Sequence, residues 1–256
     1  MYKLGLKLWS VNTDAYFAEA QRLYALGVYD YIELYVVPNT LNTLENWKKL
    51  NIPYILHAPH FAHGVNLASS EKFEYNKETY REVEIFRSSL NAKYTVIHGG
   101  IEGSVDETIR QLKFINPKNF LIENKPYKAP LGNQNLCRGY NIEEIKKIIS
   151  ETNCGFCLDI GHCICSANSM NIEPYLYVRE FNKLDPKMYH LSDGEIDSEI
   201  DKHLHFGQGN FDIKKILGII SKDKCLSIET NKNSKENLED FIEDVLSIRT
   251  LENEKP

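Results

Sequence analysis

The 256-residue sequence lacks a membrane span: its apolar stretches are short segments such as Tyr54 to Leu56 and Tyr94 to Ile97, against the ~20 consecutive apolar residues a spanning helix requires. The opening Met-Tyr-Lys-Leu-Gly-Leu-Lys-Leu-Trp has no apolar core of leader length and no small-residue cleavage pattern, so the expected location is the cytoplasm. Cysteine is sparse, with six thiols at 137, 154, 157, 163, 165 and 225. A chain of this length needs no disulfide staples, and Cys154 and Cys157 sit in an apolar, strand-like run, so reduced core thiols are expected. No phosphate-cradling loop, dinucleotide glycine fingerprint, Gly-x-Ser-x-Gly elbow or zinc-protease helix motif is present, which removes nucleotide-dependent and serine-hydrolase chemistry. Positive charge is in deficit, 30 Lys and Arg against 36 Asp and Glu. That argues against broad adhesion to nucleic acid while leaving room for a local cationic groove.

What is present is an ordinary globular composition, 42% apolar and 26% charged with 14 Gly and 9 Pro, able to bury a core. Short β-branched and aromatic runs alternate with longer helical stretches, the pattern of repeated βα units around a parallel sheet. Strands are predicted over 3–9, 31–36, 54–57, 94–98, 120–124, 155–159, 188–191 and 225–229, and helices over about 14–26, 42–50, 71–91, 104–115, 141–151, 172–183, 213–221 and 235–249. Ser104 before Glu107 and Asn141 before Glu144 are cap-like helix starts. No linker or composition shift divides the chain. The fold class expected is α/β, a single (β/α)8 TIM barrel domain over residues 1–256. Two connections, 125–140 and 192–212, exceed the usual length and leave C-terminal strand ends, where barrel active sites are built.

The His and acidic residues fall at those same strand ends. His57 closes strand three, His98 strand four, Glu123 strand five, Asp159 with His162 strand six, and Glu229 strand eight. His190 lies in strand seven, and Asp201 and His203 follow in its loop. One such histidine is usually structural and one such carboxylate usually solvated. Nine N and O donors from six successive units converging on one mouth are different, because divalent ions compensate that charge and use those ligand types. The set contains no Cys, and imidazole mixed with carboxylate suits Zn, Mn or Fe. Nine donors exceed what one ion takes and point to two or three ions, an arrangement suited to attack at phosphate. A non-catalytic scaffold would leave many buried donors uncompensated.

The segments Ile55-Leu-His57-Ala-Pro, Val96-Ile-His98-Gly-Gly, Leu121-Ile-Glu123-Asn, Cys157-Leu-Asp159-Ile-Gly-His162, Tyr189-His190-Leu-Ser-Asp193, Asp201-Lys-His203 and Ser227-Ile-Glu229-Thr resemble the xylose isomerase-like TIM barrel superfamily. Within it they look most like the endonuclease IV branch, the AP endonuclease family 2, as does Asn66-Leu-Ala-Ser69. The resemblance implies three Zn2+ ions: one on His57, His98 and Glu123, a second on bridging Glu123 with Asp159, His190 and Glu229, and a third on His162, Asp201 and His203. It further implies a hydrolase in which metal-activated water attacks a phosphodiester at an abasic site in DNA, with Glu123, Asp159 and Glu229 at the chemistry. Three places depart from that branch. The run after His162 reads Cys163-Ile-Cys-Ser-Ala-Asn168, His60 and Phe61 stand where an aromatic and a Leu wedge into DNA, and the loop Val37-Pro-Asn-Thr-Leu-Asn-Thr43 carries no positive charge.

The related sugar phosphate isomerase and epimerase branch is similar at Glu123, Asp159, His190 and Glu229, which would hold one Mn2+, Co2+ or Mg2+ while Glu123 and Glu229 exchange a proton beside a carbonyl. The remaining histidines would then meet a sugar or phosphate, and Lys125, Lys128 and Arg138 of the long loops would close over it. Substrate expectations are therefore a small phosphorylated or sugar molecule, or abasic-site DNA.

Overall fold

Eight short strands, each parallel to both neighbours, close on themselves in chain order in a computed structural model of the protein. They are β1 Lys3–Trp9, β2 Tyr31–Tyr35, β3 Tyr54–His57, β4 Thr95–His98, β5 Phe120–Glu123, β6 Gly155–Asp159, β7 Met188–Leu191 and β8 Cys225–Ile228. The structure describes residues 1–13, 16–129, 135–234 and 236–253. The expected helix starts at 14 and 235, the middle of the 125–140 connection and the last three residues of the expected domain lie outside the described residues. Every expected strand is found, four of them one residue shorter at one end, so Glu229 stands just past β8 rather than within it.

Nine helices are described: α1 Phe17–Ala25, α2 Leu44–Lys49, α3 Phe73–Ser89, α4 Val105–Ile115, α5 Ile142–Thr152, α6 Ile160–Ser169, α7 Pro174–Asn182, α8 Ile213–Ile219 and α9 Glu239–Asn253. The two expected caps form: Ser104 Oγ accepts the Glu107 N–H at 3.1 Å and Asn141 Oδ1 the Glu144 N–H at 2.8 Å. Asn116 and Asn153 end the same two helices in the left-handed region, with φ of 47° and 54°. Helix α6 is a correction, since the sequence pattern leaves 160–169 as connection. Its first eight residues, Ile160 to Ala167, are all buried. A helix enclosed on every side shows no polar face and hence no 3.6-residue period to find.

Inside the barrel the period is two. Tyr31, Ile55, Val96, Leu121, Cys157, Met188 and Cys225 pack together as an apolar layer. Two residues further along the same strands come Glu33, His57, His98, Glu123, Asp159, His190 and Ser227, all buried. Strand pairing sets them side by side: Lys7 opposite Glu33, His98 opposite Glu123, and Asp159 opposite His190. Gly5 belongs to the lower layer because the Tyr31 ring lies where its Cβ would be, and the Tyr31 hydroxyl reaches Ser227 Oγ at 2.9 Å. The apolar layer thus floors a polar one at the C-terminal mouth. No helix among the described residues is long and apolar enough to cross a membrane.

Candidate metal centre

The tightest geometry belongs to three atoms from three successive strands. His57 Nε2, His98 Nε2 and Glu123 Oε2 are each 3.2 Å from the other two. Tetrahedral zinc, with bonds of about 2.0–2.2 Å, holds its ligand atoms roughly 3.3–3.6 Å apart, so this triangle is close to one face of such a site. His57 is oriented to coordinate, because its Nδ1 is 2.9 Å from the Ala58 carbonyl and, as an N–H donor there, leaves the Nε2 lone pair facing inward. Burial drives the His98 imidazole well below its usual pKa and so keeps it neutral. Burial works against the Glu123 charge, but the Lys125 ammonium and the hydrogen bonds from His162 and His57 outweigh it and hold the carboxyl well below the usual range.

A second triad is assembled from α6 and the connection after β7. Asp201 Oδ2 lies 3.7 Å from both His162 Nε2 and His203 Nε2, is buried, and has no hydrogen-bond partner. Its other oxygen accepts the His203 N–H at 3.1 Å, and His203 takes a positive φ of 48°, a conformation that costs a non-glycine residue energy and is tolerated where the surroundings require it. His162 Nδ1 lies 3.1 Å from the Asn124 carbonyl, leaving Nε2 toward Asp201. Asn124 in turn pairs with the Asp159 backbone through both ends of its amide, at 2.8 and 2.9 Å. Asp159 Oδ1 caps α6 by accepting the His162 N–H at 2.7 Å.

Between the triads, His190 Nδ1 faces three carboxylates, Glu229 at 2.8 Å, Glu123 at 3.5 Å and Asp159 at 3.8 Å, yet neither of its nitrogens makes a directed hydrogen bond. All nine expected donors therefore meet at one mouth. Orphaned nitrogens and oxygens facing each other across gaps of this size fit divalent ions. Sets of His, Asp and Glu atoms that could hold a metal recur across the whole cluster.

The structure adds residues that the sequence pattern passes over. Glu33 Oε2 sits 3.0 Å from His190 Nε2 and accepts from Ser227 Oγ, the carboxylate-behind-histidine arrangement that orients metal ligands. Lys7 lies against Glu229 and 3.4 Å from Glu33. Their signal is a charged residue at an inward position of an otherwise apolar strand, Leu6-Lys7-Leu8 and Ile32-Glu33-Leu34. Cys157 lies outside the expected set, and its sulfur is within ligand reach of Glu123 and His190. Burial pushes that thiol up to about 12, which keeps it protonated. Of the three loop cations, Lys125 is buried among the ligands, Lys128 pairs with Glu199 at 2.8 Å, and Arg138 is tied to Glu144 and the carbonyls of Glu102 and Gly103. His60 stacks on His98, ring centres 4.7 Å apart, and Phe61 lines a side cavity rather than the core.

The sequence matches xylose isomerase-like TIM barrels over residues 20–251. The chain belongs to the xylose isomerase-like TIM barrel family. No curated protein sequence matches it. Solved structures of similar fold include a D-tagatose 3-epimerase-like protein, at 19% identity and TM-score 0.75 over 97% of this chain and 96% of that one. Endonuclease IV from Thermus thermophilus aligns at 18% identity and TM-score 0.69 over 98% and 97%. An AP endonuclease, family 2, from Brucella melitensis aligns at 13% identity and TM-score 0.68 over 93% and 97%. Proteins named for both kinds of chemistry thus share this fold, which by itself assigns neither to this chain.

Proposed function

We propose that the chain is a divalent-metal-dependent phosphoester hydrolase holding three ions, zinc by ligand type. His57, His98 and Glu123 hold one, Glu123, Asp159, His190 and Glu229 the second, and His162, Asp201 and His203 the third. The observation that supports this most is the second triad, with Asp201 Oδ2 buried and unpaired midway between His162 and His203. A one-ion isomerase leaves those three residues no ion to hold and makes them substrate contacts. Bound ions supply a water acidified toward neutral pH and positive charge for the oxygens that gain charge in phosphoester cleavage.

The chain's own residues do the rest. Glu123 offers Oε2 to His57 and His98, and the same oxygen lies 3.5 Å from His190 Nδ1, so this carboxylate would help to hold both the first ion and the second. Glu33 lies behind His190, 3.0 Å from Nε2. The cavity above, about 410 Å³, is lined by Lys7, Lys125 and Lys232 beside Trp9 and Tyr35, a size suited to a small ligand and a lining suited to an anion. A small phosphorylated substrate such as a sugar phosphate fits it better than DNA, since the 37–43 loop offers no cation to a phosphate backbone.

A second reading uses the same pocket. His190 Nδ1 with Glu229, Glu123 and Asp159 around it would hold a single Mn2+, Co2+ or Mg2+, and Glu123 and Glu229 would carry the proton of a sugar or sugar-phosphate isomerisation or epimerisation. Protein loaded with zinc, then with manganese, is assayed for phosphate release from sugar phosphates and model diesters, for cleavage of an abasic-site duplex, and for keto-sugar interconversion in deuterated water. Zinc-dependent phosphate release supports the hydrolase. Deuterium incorporation with manganese and no ester cleavage contradicts it.

A further inference from the structure

Lys125 stands two residues past Glu123, its backbone N–H held by the Gly139 carbonyl at 3.0 Å. The residue is 6% exposed. Its ammonium lies 3.0 Å from Glu123 Oε1, 3.4 Å from His98 Nε2 and 3.2 Å from each ring nitrogen of His162. These atoms belong to both triads. An ammonium has three donors and no lone pair, so at Glu123 Oε1 and His98 Nε2 it competes for lone pairs that an ion would need, while its equal distance to the two His162 nitrogens sets it against that ring.

The position has a charge logic. Glu33, Glu123, Asp159 and Glu229 crowd the polar layer, and the other inward ammonium, Lys7, is committed to Glu33 and Glu229. Lys125 is the lysine left to compensate Glu123, and removing one partner of a buried pair leaves an uncompensated charge. Divalent ions on the same ligands would supply that compensation and repel the ammonium at once. Lys125 also lines both the main cavity of about 410 Å³ and the adjoining one of about 200 Å³.

We propose that Lys125 is a displaceable counter-cation: it holds ligand atoms of the centre in the metal-free protein, and ions drive it off them to serve as the binding residue for an anionic group in the adjoining cavity. The inference rests on the metal-centre reading above and adds the side chain and the cavity that would take the anion. It makes metal loading and anion binding reciprocal, each strengthening the other through one side chain.

The test compares wild type with Lys125→Met. Zinc affinity is read by competition with a chromogenic chelator, and inorganic phosphate binding by calorimetry on metal-free and zinc-loaded protein. Losing the competing ammonium tightens zinc binding about tenfold, and losing the anion contact weakens phosphate binding to loaded protein by about the same factor. Wild type binds phosphate only once loaded. Metal-free Lys125→Met unfolds at lower temperature than wild type, and zinc raises its midpoint further than it raises that of wild type. Lys125→Gln repeats the comparison if the Met form does not accumulate. Zinc affinity unchanged or weakened in the variants overturns the proposal, as does equal phosphate binding by loaded wild type and variant. Wild type that takes up no zinc overturns both the centre and Lys125's part in it, whereas normal zinc uptake insensitive to Lys125 overturns only the latter.

Discussion

Gly161 and Asp201 stand so close that a Cβ at position 161 would lie 2.6 Å from Asp201 Oδ2. The connection after β7 delivers Asp201 onto the first turn of α6, and only an absent side chain lets the carboxylate reach the position facing His162 and His203. Gly161→Ala should therefore empty the third ion position without harming the helix, where Ala in place of Gly favours the helical backbone by about 1 kcal/mol. Elemental analysis of the variant is expected to find one zinc fewer per chain, with a metal-free unfolding midpoint no lower than wild type. Full occupancy would mean that Asp201 is not a ligand.

Glu33 is outside the nine expected ligands, and its carboxylate lies 3.0 Å from His190 Nε2 while Nδ1 faces Glu229, Glu123 and Asp159. Glu33→Gln should weaken the ion held through His190 by about 10–100-fold while the fold persists. Chelator competition with circular dichroism measures both. An unchanged affinity would reduce Glu33 to a counter-charge for Lys7.

Asp193 pins the loop that carries Asp201 and His203, its two oxygens accepting the backbone N–H groups of Gly194, Gly207, Gly209 and Phe211 at 2.8–3.1 Å. Asp193→Ala strands those donors, of which Gly194 and Phe211 are buried. The expected loss is about 3 kcal/mol in urea unfolding, with earlier proteolytic cleavage within 192–212. A loss below about 1 kcal/mol, within the range of an ordinary surface change, would show that the loop is held elsewhere.

The six thiols are all free, five of them buried and Cys154 half-buried. Burial raises every one of their pKa values, Cys137 to about 11. Thiolate is the reactive form, so the native protein should react with a disulfide reagent near pH 8 far more slowly than the unfolded chain, Cys154 first. A rapid stoichiometric thiol in native protein would contradict this packing.

The site's ligands are legible in sequence because His57, His98, Glu123 and Asp159 each end a short apolar run, and a run's end marks the barrel mouth without knowing register. Lys7 and Glu33 sit inside such runs, and their inward aim appears only when strand pairing fixes which alternate residues face the axis. Lys125 looks like one of several loop charges, and its burial depends on the 125–140 connection folding back so that Gly139 meets its backbone. Helix α6 is hidden for the opposite reason, being buried on all sides where periodicity has nothing to report.

The central claim is that three ions share nine donors, and the measurement that tests it most directly is elemental analysis of protein purified without chelator or metal-affinity tag. About three zinc per chain is the predicted result. About one manganese, cobalt or magnesium per chain would contradict it, leaving His162, Asp201 and His203 as substrate contacts of an isomerase.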